Sequence, residues 1–265
     1  MNSFWVSDPT LSLDETIIRQ KKSDFHNPIL FNLILKEFLN LTKYEPSTSR
    51  LLPSFFGSIT LIFFGILSYQ VKKDNSFLLT TFLASISIYI IKYSQEVRPY
   101  SLLLMLSTIN IYLYCLILNE LIKNKFYNYL IISIFIIISV LNYSTNPFSL
   151  IIFFSQIIHT IFVLLHLNKK NNLLIFSFLP ILFIYLLSNY SYLTYQISFS
   201  SYMLSADISN VIDGLYFPRF FGSKIMGYIY LISFLFLIFY QKKKIISNIN
   251  YSLLVIIFIF SYFIP

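Results

Sequence analysis

The sequence predicts an all-α polytopic membrane protein of about eight transmembrane helices, and three observations carry that prediction. Of its 265 residues 57% are hydrophobic and only 11% are charged, against about 25% charged in globular chains. Mean hydropathy is +0.72. Apolar runs recur along the chain, and nine of the nineteen basic residues are lysines in short loops between those runs. This excludes a water-soluble domain. The +8 net charge reads as charge at a membrane surface, with lipids rather than nucleic acid as the partner. Cys115, the single cysteine, lies in an apolar run and excludes an intrachain disulfide.

In chain order, residues 1–27 are polar, with Asp14-Glu15 followed by Arg19, Lys21 and Lys22. Asn27-Pro28 reads as a helix cap with proline in the first turn. The segment Ile29 to Leu41 is mostly apolar, with Asn32, Lys36 and Asn40 recurring every four residues on one face. It is too short to cross a core of roughly 30 Å, so it reads as an amphipathic helix lying in the interface. The loop 42–50 leads into runs read as spans at 51–69, 77–91, 99–118, 126–141, 147–167, 173–193, 225–240 and 252–265. The chain is thus one transmembrane domain, 1–265. Residues 1–50 form its first outer loop and 51–265 its helices.

Alternation of the spans puts residues 1–50, 92–98, 142–146 and 194–224 on one face of the membrane. The lysines at 72–73, 123, 125, 169–170 and 242–244 fall on the other. Short-loop basic residues count nine against four, which places the lysine side in the cytoplasm. An outer N-terminus without a preceding span, and an apolar run that stops at Pro265, suggest a chain lacking a first span and a C-terminal part.

The densest cluster of chemistry is Tyr93-Ser94-Gln95-Glu96-Val97-Arg98-Pro99-Tyr100, with Lys92 before it. Charged groups at a hydrocarbon boundary require partners or water. The run resembles the Tyr-Ser-Gln-Glu-Ala-Arg-Pro-Tyr stretch of family-39-like GT-C membrane glycosyltransferases, the branch of the protein O-mannosyltransferases, lipid A aminoarabinose transferases and core galacturonosyltransferases. Asp14-Glu15, His26-Asn27-Pro28-Ile29 and Arg50-Leu51-Leu52-Pro53-Ser54 are similar to further stretches of that family and occur in its order. Asn27 stands where the family has a first proline, Val97 where it has alanine. The resemblance covers residues 8–120 and the rest only by hydropathy.

The resemblance implies transfer of a sugar from a polyprenyl-phosphate donor to an extracytoplasmic acceptor, which is an envelope glycolipid, a polysaccharide or a protein. It implies Asp14 as base, with Glu15 beside it, and Arg98 and Lys92 on the donor phosphate. Such a displacement needs a base for the acceptor hydroxyl and positive charge where the phosphate leaves. A guanidinium suits phosphate because it binds two oxygens at once. The setting implied is a bacterial inner membrane, with the site on the outer face.

Each residue has a structural alternative. Asp14-Glu15 also reads as a solvated acidic pair or a helix start. Glu96 and Arg98 also read as a mutual pair capping the next span, and Lys92 as a snorkelling side chain. Arg50, Tyr93 and Tyr100 also read as interfacial anchors. His26 reads as an acceptor contact or a metal ligand, but no clustered partners mark a metal site. His159 and His166 read as packing. The loop 194–224 reads as a lid or as an interfacial anchor. No glycine-rich phosphate loop is present, and no cofactor is assigned besides the lipid-linked donor substrate, with a divalent metal left open. Two rival functions remain open: a transporter or flippase of lipid-linked sugars, and a non-catalytic truncated membrane protein.

Overall fold

The computed structural model describes residues 2–23, 28–42, 44–72, 75–120, 125–146, 148–167 and 172–188, with Ile232 and Leu253. All regular structure among them is helical: α1 (Asn2–Val6), α2 (Leu13–Ser23), α3 (Leu30–Leu41), α4 (Leu51–Lys72), α5 (Ser76–Ser85), α6 (Ile88–Gln95), α7 (Tyr100–Glu120), α8 (Lys125–Tyr143), α9 (Ser149–Leu167) and α10 (Asn172–Ser188). A short 3-10 turn, Thr48–Arg50, precedes α4. The chain forms two compact units, residues 1–153 with 170–192, and 154–169 with 193–265. The candidate residues described below all lie in the first. In the second, the His159 ring is buried and lies 6.4 Å from Phe162.

This is a helical membrane protein, and its lipid-facing surface is visible as exposed apolar side chains. Leu78, Leu79, Phe82 and Leu83 of α5 and Leu179, Phe183 and Leu187 of α10 are all more than half exposed, a density that water does not tolerate. The eight expected spans are not all found. Among the described residues, Thr48–Gln70 and Tyr100–Leu118 are long and apolar enough to cross a membrane, with Phe77–Ser85 and Ile88–Gln95 forming a third if the bent pair is one span. Apolar stretches of 10–17 described residues lie within α8, α9 and α10, at Asn128–Tyr143, Ser149–Val163 and Ser177–Leu187. The runs 225–240 and 252–265 lie outside the described residues.

The expected span 77–91 is instead broken at Ile86-Ser87, and its two halves meet at 55°. Ser85 turns its hydroxyl onto the Phe82 carbonyl at 2.7 Å, a bond that competes with helix propagation. Ser87 is extended (φ −65°, ψ 120°) and restarts the chain as α6. The helix therefore continues to Gln95 and carries Lys92 to Gln95 in its last turn, where a loop is expected from the sequence.

Both halves pack on α4, which also packs on α7. Two glycines allow the approach. A Cβ on Gly57 would lie 2.0 Å from Ser94 Oγ, and one on Gly65 would lie 2.6 Å from Thr81 Oγ1. The Ser54 hydroxyl lies 2.9 Å from the carbonyl oxygens of both Arg50 and Ser94. Small residues that let membrane helices touch, joined by hydroxyl bonds, hold such pairs where burial from water supplies no force.

Helices α7 and α8 run antiparallel along a buried polar seam. Asn110 Nδ2 donates to Ser139 Oγ at 2.7 Å, and Ser107 Oγ donates to Asn142 Oδ1 at 3.2 Å. Tyr114 meets Phe135 further along the same seam, their ring centres 6.2 Å apart. Helix α8 then packs on α10.

Helix α3 forms within a residue of its expected bounds, but its apolar side does not lie open to lipid. Phe31, Leu35 and Leu39 are at most 1% exposed and join Leu52, Phe56, Leu102 and Leu106 in one core cluster. The expected Asn27 cap lies outside the described residues; the helix starts after Ile29, without a side-chain cap.

Candidate functional site

The core cluster that buries α3 also takes in the motif, while α2 joins α3 through hydrogen bonds from Asn32 and Lys36. Phe4 of α1, Phe38 of α3 and Tyr44 pack on the cluster, and so do Val97 of the motif and Ile138 and Leu141 near the end of α8. Described residues of the N-terminal segment, Val97 of the motif and the end of α8 thus gather where α4 and α7 begin. The loop 194–224 and His26 lie outside the described residues.

Asp14 and Glu15 stand exposed in the first turn of α2. Glu15 is already engaged. The Ser12 amide donates to its carboxylate at 2.8 Å, while the Glu15 amide lies 3.3 Å from Ser12 Oγ. This reciprocal pair is a capping box, and the Ser12 backbone bond, with its hydroxyl, holds the Glu15 carboxyl below its usual range. Asp14 makes no side-chain hydrogen bond or ion pair among the described residues.

A second acidic group stands nearby in sequence. Asp8 accepts from the Thr10 hydroxyl at 2.7 Å and the Thr10 amide at 3.0 Å, and lies 3.9 Å from Arg19 Nη1. The Thr10 hydroxyl, then its amide, with Arg19 and Lys36 near, hold the Asp8 carboxyl low despite partial burial. Arg19 rests over the Trp5 ring at 4.5 Å and donates to the Trp5 carbonyl at 3.3 Å. Lys36 reaches back from α3 to the Leu11 carbonyl and to Thr16 Oγ1, and Asn32 donates to Gln20 Oε1. Tyr44, in the left-handed region at φ 56°, stacks on Phe4 at 4.6 Å. Burial, and then the Asp8 charge, push its hydroxyl pKa up. The turn was legible in Asp8-Pro9-Thr10 and the cap in Ser12-x-x-Glu15. The contacts with Arg19, Lys36 and Tyr44 had no local signal.

In the motif, Lys92 pairs with Glu96 at 3.9 Å across one turn of α6 and its extension. Glu96 therefore pairs with Lys92, while its carbonyl accepts the Arg98 amide at 2.8 Å. Arg98 is exposed, and its guanidinium makes no ion pair among the described residues. Tyr93 and Tyr100 are half-buried with ring centres 4.9 Å apart, and Tyr89 continues the row 6.1 Å from Tyr93. Val97 and Pro99 anchor the turn: Val97 lies on the core cluster and Pro99 is buried. Arg50 is exposed at the entry to α4, its carbonyl taken by Ser54.

The Asp14 carboxylate and the Arg98 guanidinium make no ion pair among the described residues, and α3 links their two segments: it bonds to α2 and shares a core cluster with Val97. Among the described residues, no three His, Cys, Asp or Glu side chains gather as a metal-binding group. Comparison with protein-family models, with curated proteins and with solved structures returned no match.

Proposed function

We propose that this chain is a GT-C-type glycosyltransferase of a bacterial inner membrane, moving a sugar from polyprenyl phosphate to an extracytoplasmic glycolipid, polysaccharide or protein. The supporting observation is that Val97 of the motif packs on the same core cluster as α3, and α3 in turn bonds to α2, the helix that carries Asp14, through Asn32–Gln20 and Lys36–Thr16. In this reading the remaining apolar runs complete about eight spans, and the end holding both segments faces outward.

Asp14 takes the proton of the acceptor hydroxyl. The oxygen then bonds to the anomeric carbon while the carbon–oxygen bond to phosphate breaks, its electron pair leaving with the polyprenyl phosphate. Arg98 binds the phosphate oxygens and meets the charge that grows there. Lys92, held by Glu96, adds a second cation. The Tyr93–Tyr100 pair lines the approach, and Arg50 marks the membrane edge. Glu15 keeps α2 capped and Asp14 in place. Holding donor and acceptor together supplies the rest of the acceleration.

A second reading, transport of a lipid-linked sugar, is favoured by the break at Ile86-Ser87, since discontinuous helices form the substrate sites of many transporters. Reconstitution with radiolabelled polyprenyl-phosphate sugars and envelope extract separates the two. The enzyme reading expects transfer by the wild type that both Asp14→Asn and Arg98→Ala abolish at unchanged protein level. Donor crossing the vesicle without transfer sinks it in favour of transport.

A further inference from the structure

The helix that the sequence places in the membrane interface, α3, has its apolar side closed into the core. Helix α2 is built the other way round. Its buried residues are Thr16 and Gln20, which face Lys36 and Asn32 of α3. At about 100° per residue, Asp14, Ile18, Lys21 and Lys22 fall within an arc of about 100° on the opposite side. Ile18 there is 51% exposed, and both lysines are exposed. An isoleucine standing out between two lysines is common on a water-facing helix, but in a chain with membrane-spanning helices it has a second setting. That setting is the headgroup layer, where the aliphatic chain meets the acyl boundary and the ammonium groups meet lipid phosphates. Of the two acids in the first turn, Glu15 is held by Ser12, and the last turn, with Lys21 and Lys22, is cationic. Trp5, the only tryptophan, is 49% exposed beside Arg19, and tryptophan is the side chain most typical of a membrane interface.

We propose that α1 and α2, rather than α3, form the segment that lies on the bilayer, with Ile18 in the headgroup layer and Lys21 and Lys22 on anionic phospholipid. The contact follows from the faces of α2 and α3 and holds whether or not the chain transfers sugar. It carries Asp14, on the same arc as Ile18, to headgroup depth.

The test uses the full chain in vesicles of phosphatidylcholine, with and without phosphatidylglycerol. In a Cys115→Ala background, Ile18→Cys carries an environment-sensitive fluorophore. Glu37→Cys serves as the water-facing control and Leu79→Cys as the acyl-facing one. The Ile18 label is expected to be quenched about twofold more by spin labels near the headgroup than by labels at the chain end. Its protection from iodide should grow with phosphatidylglycerol, and Lys21→Glu with Lys22→Glu should remove that growth, each lysine being worth about fivefold in local affinity for an anionic surface. Quenching of Trp5 by brominated lipids repeats the measurement on the unmutated chain, so a variant that fails to fold cannot hide the answer. An Ile18 label as open to iodide as the Glu37 control overturns the proposal. So does protection from iodide without lipid quenching, which would mean that protein covers the face.

Discussion

Gly57→Ala isolates the contact that holds the motif against the bundle. The new Cβ would meet Ser94 Oγ at 2.0 Å and Ser94 Cβ at 2.8 Å, where carbon atoms pack best at about 3.5–4.0 Å. The serine hydroxyl is committed, donating to the Ile90 carbonyl at 2.6 Å. Helices α4 and α6 must therefore separate, and overpacking of this kind costs about 1–3 kcal/mol. Alanine itself favours a helix over glycine by about 1 kcal/mol, so the sign of the net change decides the matter. An overlap to 2.0 Å takes the upper end of that cost, so we expect a net loss of about 2 kcal/mol and a fall of roughly 5 °C in melting temperature. Cys115, the only cysteine and 1% exposed, reports unfolding through reaction with a fluorogenic maleimide. Moving the methyl group to the other side, as Gly57→Ala with Ser94→Gly, should return stability to within about 1 kcal/mol of wild type. A rise in melting temperature for Gly57→Ala alone would refute the close approach, because that is how an uncrowded helical glycine behaves.

Other consequences are checked more simply. Lys92→Ala should change stability by less than about 0.5 kcal/mol, since the Lys92–Glu96 pair is largely exposed and such pairs contribute little; thermal melting reads it. Asn110→Ala should cost about 1 kcal/mol by the same assay, through loss of the bond to Ser139 across the α7–α8 seam. The Asp8 carboxyl, held below its ordinary value of 3.8 first by the Thr10 hydroxyl, adds stability that is fully present above that value. This stability is lost as pH falls through the lowered folded value. Acid titration followed by Trp5 emission should therefore show the N-terminal helices loosening only below about pH 4, and Thr10→Ala should move the change to higher pH.

Much of this was legible in the sequence. Helix α3 could be bounded because its apolar residues recur at helical spacing. The face it chose could not, because a stripe of Phe31, Leu35 and Leu39 serves lipid or a protein core equally well. That choice depends on Leu52, Phe56, Leu102 and Leu106 arriving from far along the chain. The break at Ile86-Ser87 escaped for a related reason: hydropathy ignores serine hydroxyls that bind backbone carbonyls, and the run 77–91 looks continuous on that scale. In the motif, Glu96 had two cations within reach. Its choice of Lys92 over Arg98 follows from α6 continuing to Gln95, which puts residues 92 and 96 one helical turn apart. Asp8 was passed over because an Asp-Pro-Thr turn is common; what distinguishes it comes from Arg19 and Lys36 on two other helices.

The central claim is that α2, with Asp14 at the acceptor hydroxyl, and the Lys92–Tyr100 run, with Arg98 at the donor phosphate, serve one lipid-linked sugar. Photocrosslinking with a polyprenyl-phosphate sugar carrying a diazirine beside the phosphate tests this on the full chain in vesicles. The account predicts adducts in both the α2 peptide and the peptide holding Arg98, competed by unlabelled donor and lost from both in Arg98→Ala. Adducts confined to other parts of the chain, or unaffected by that substitution, would contradict it.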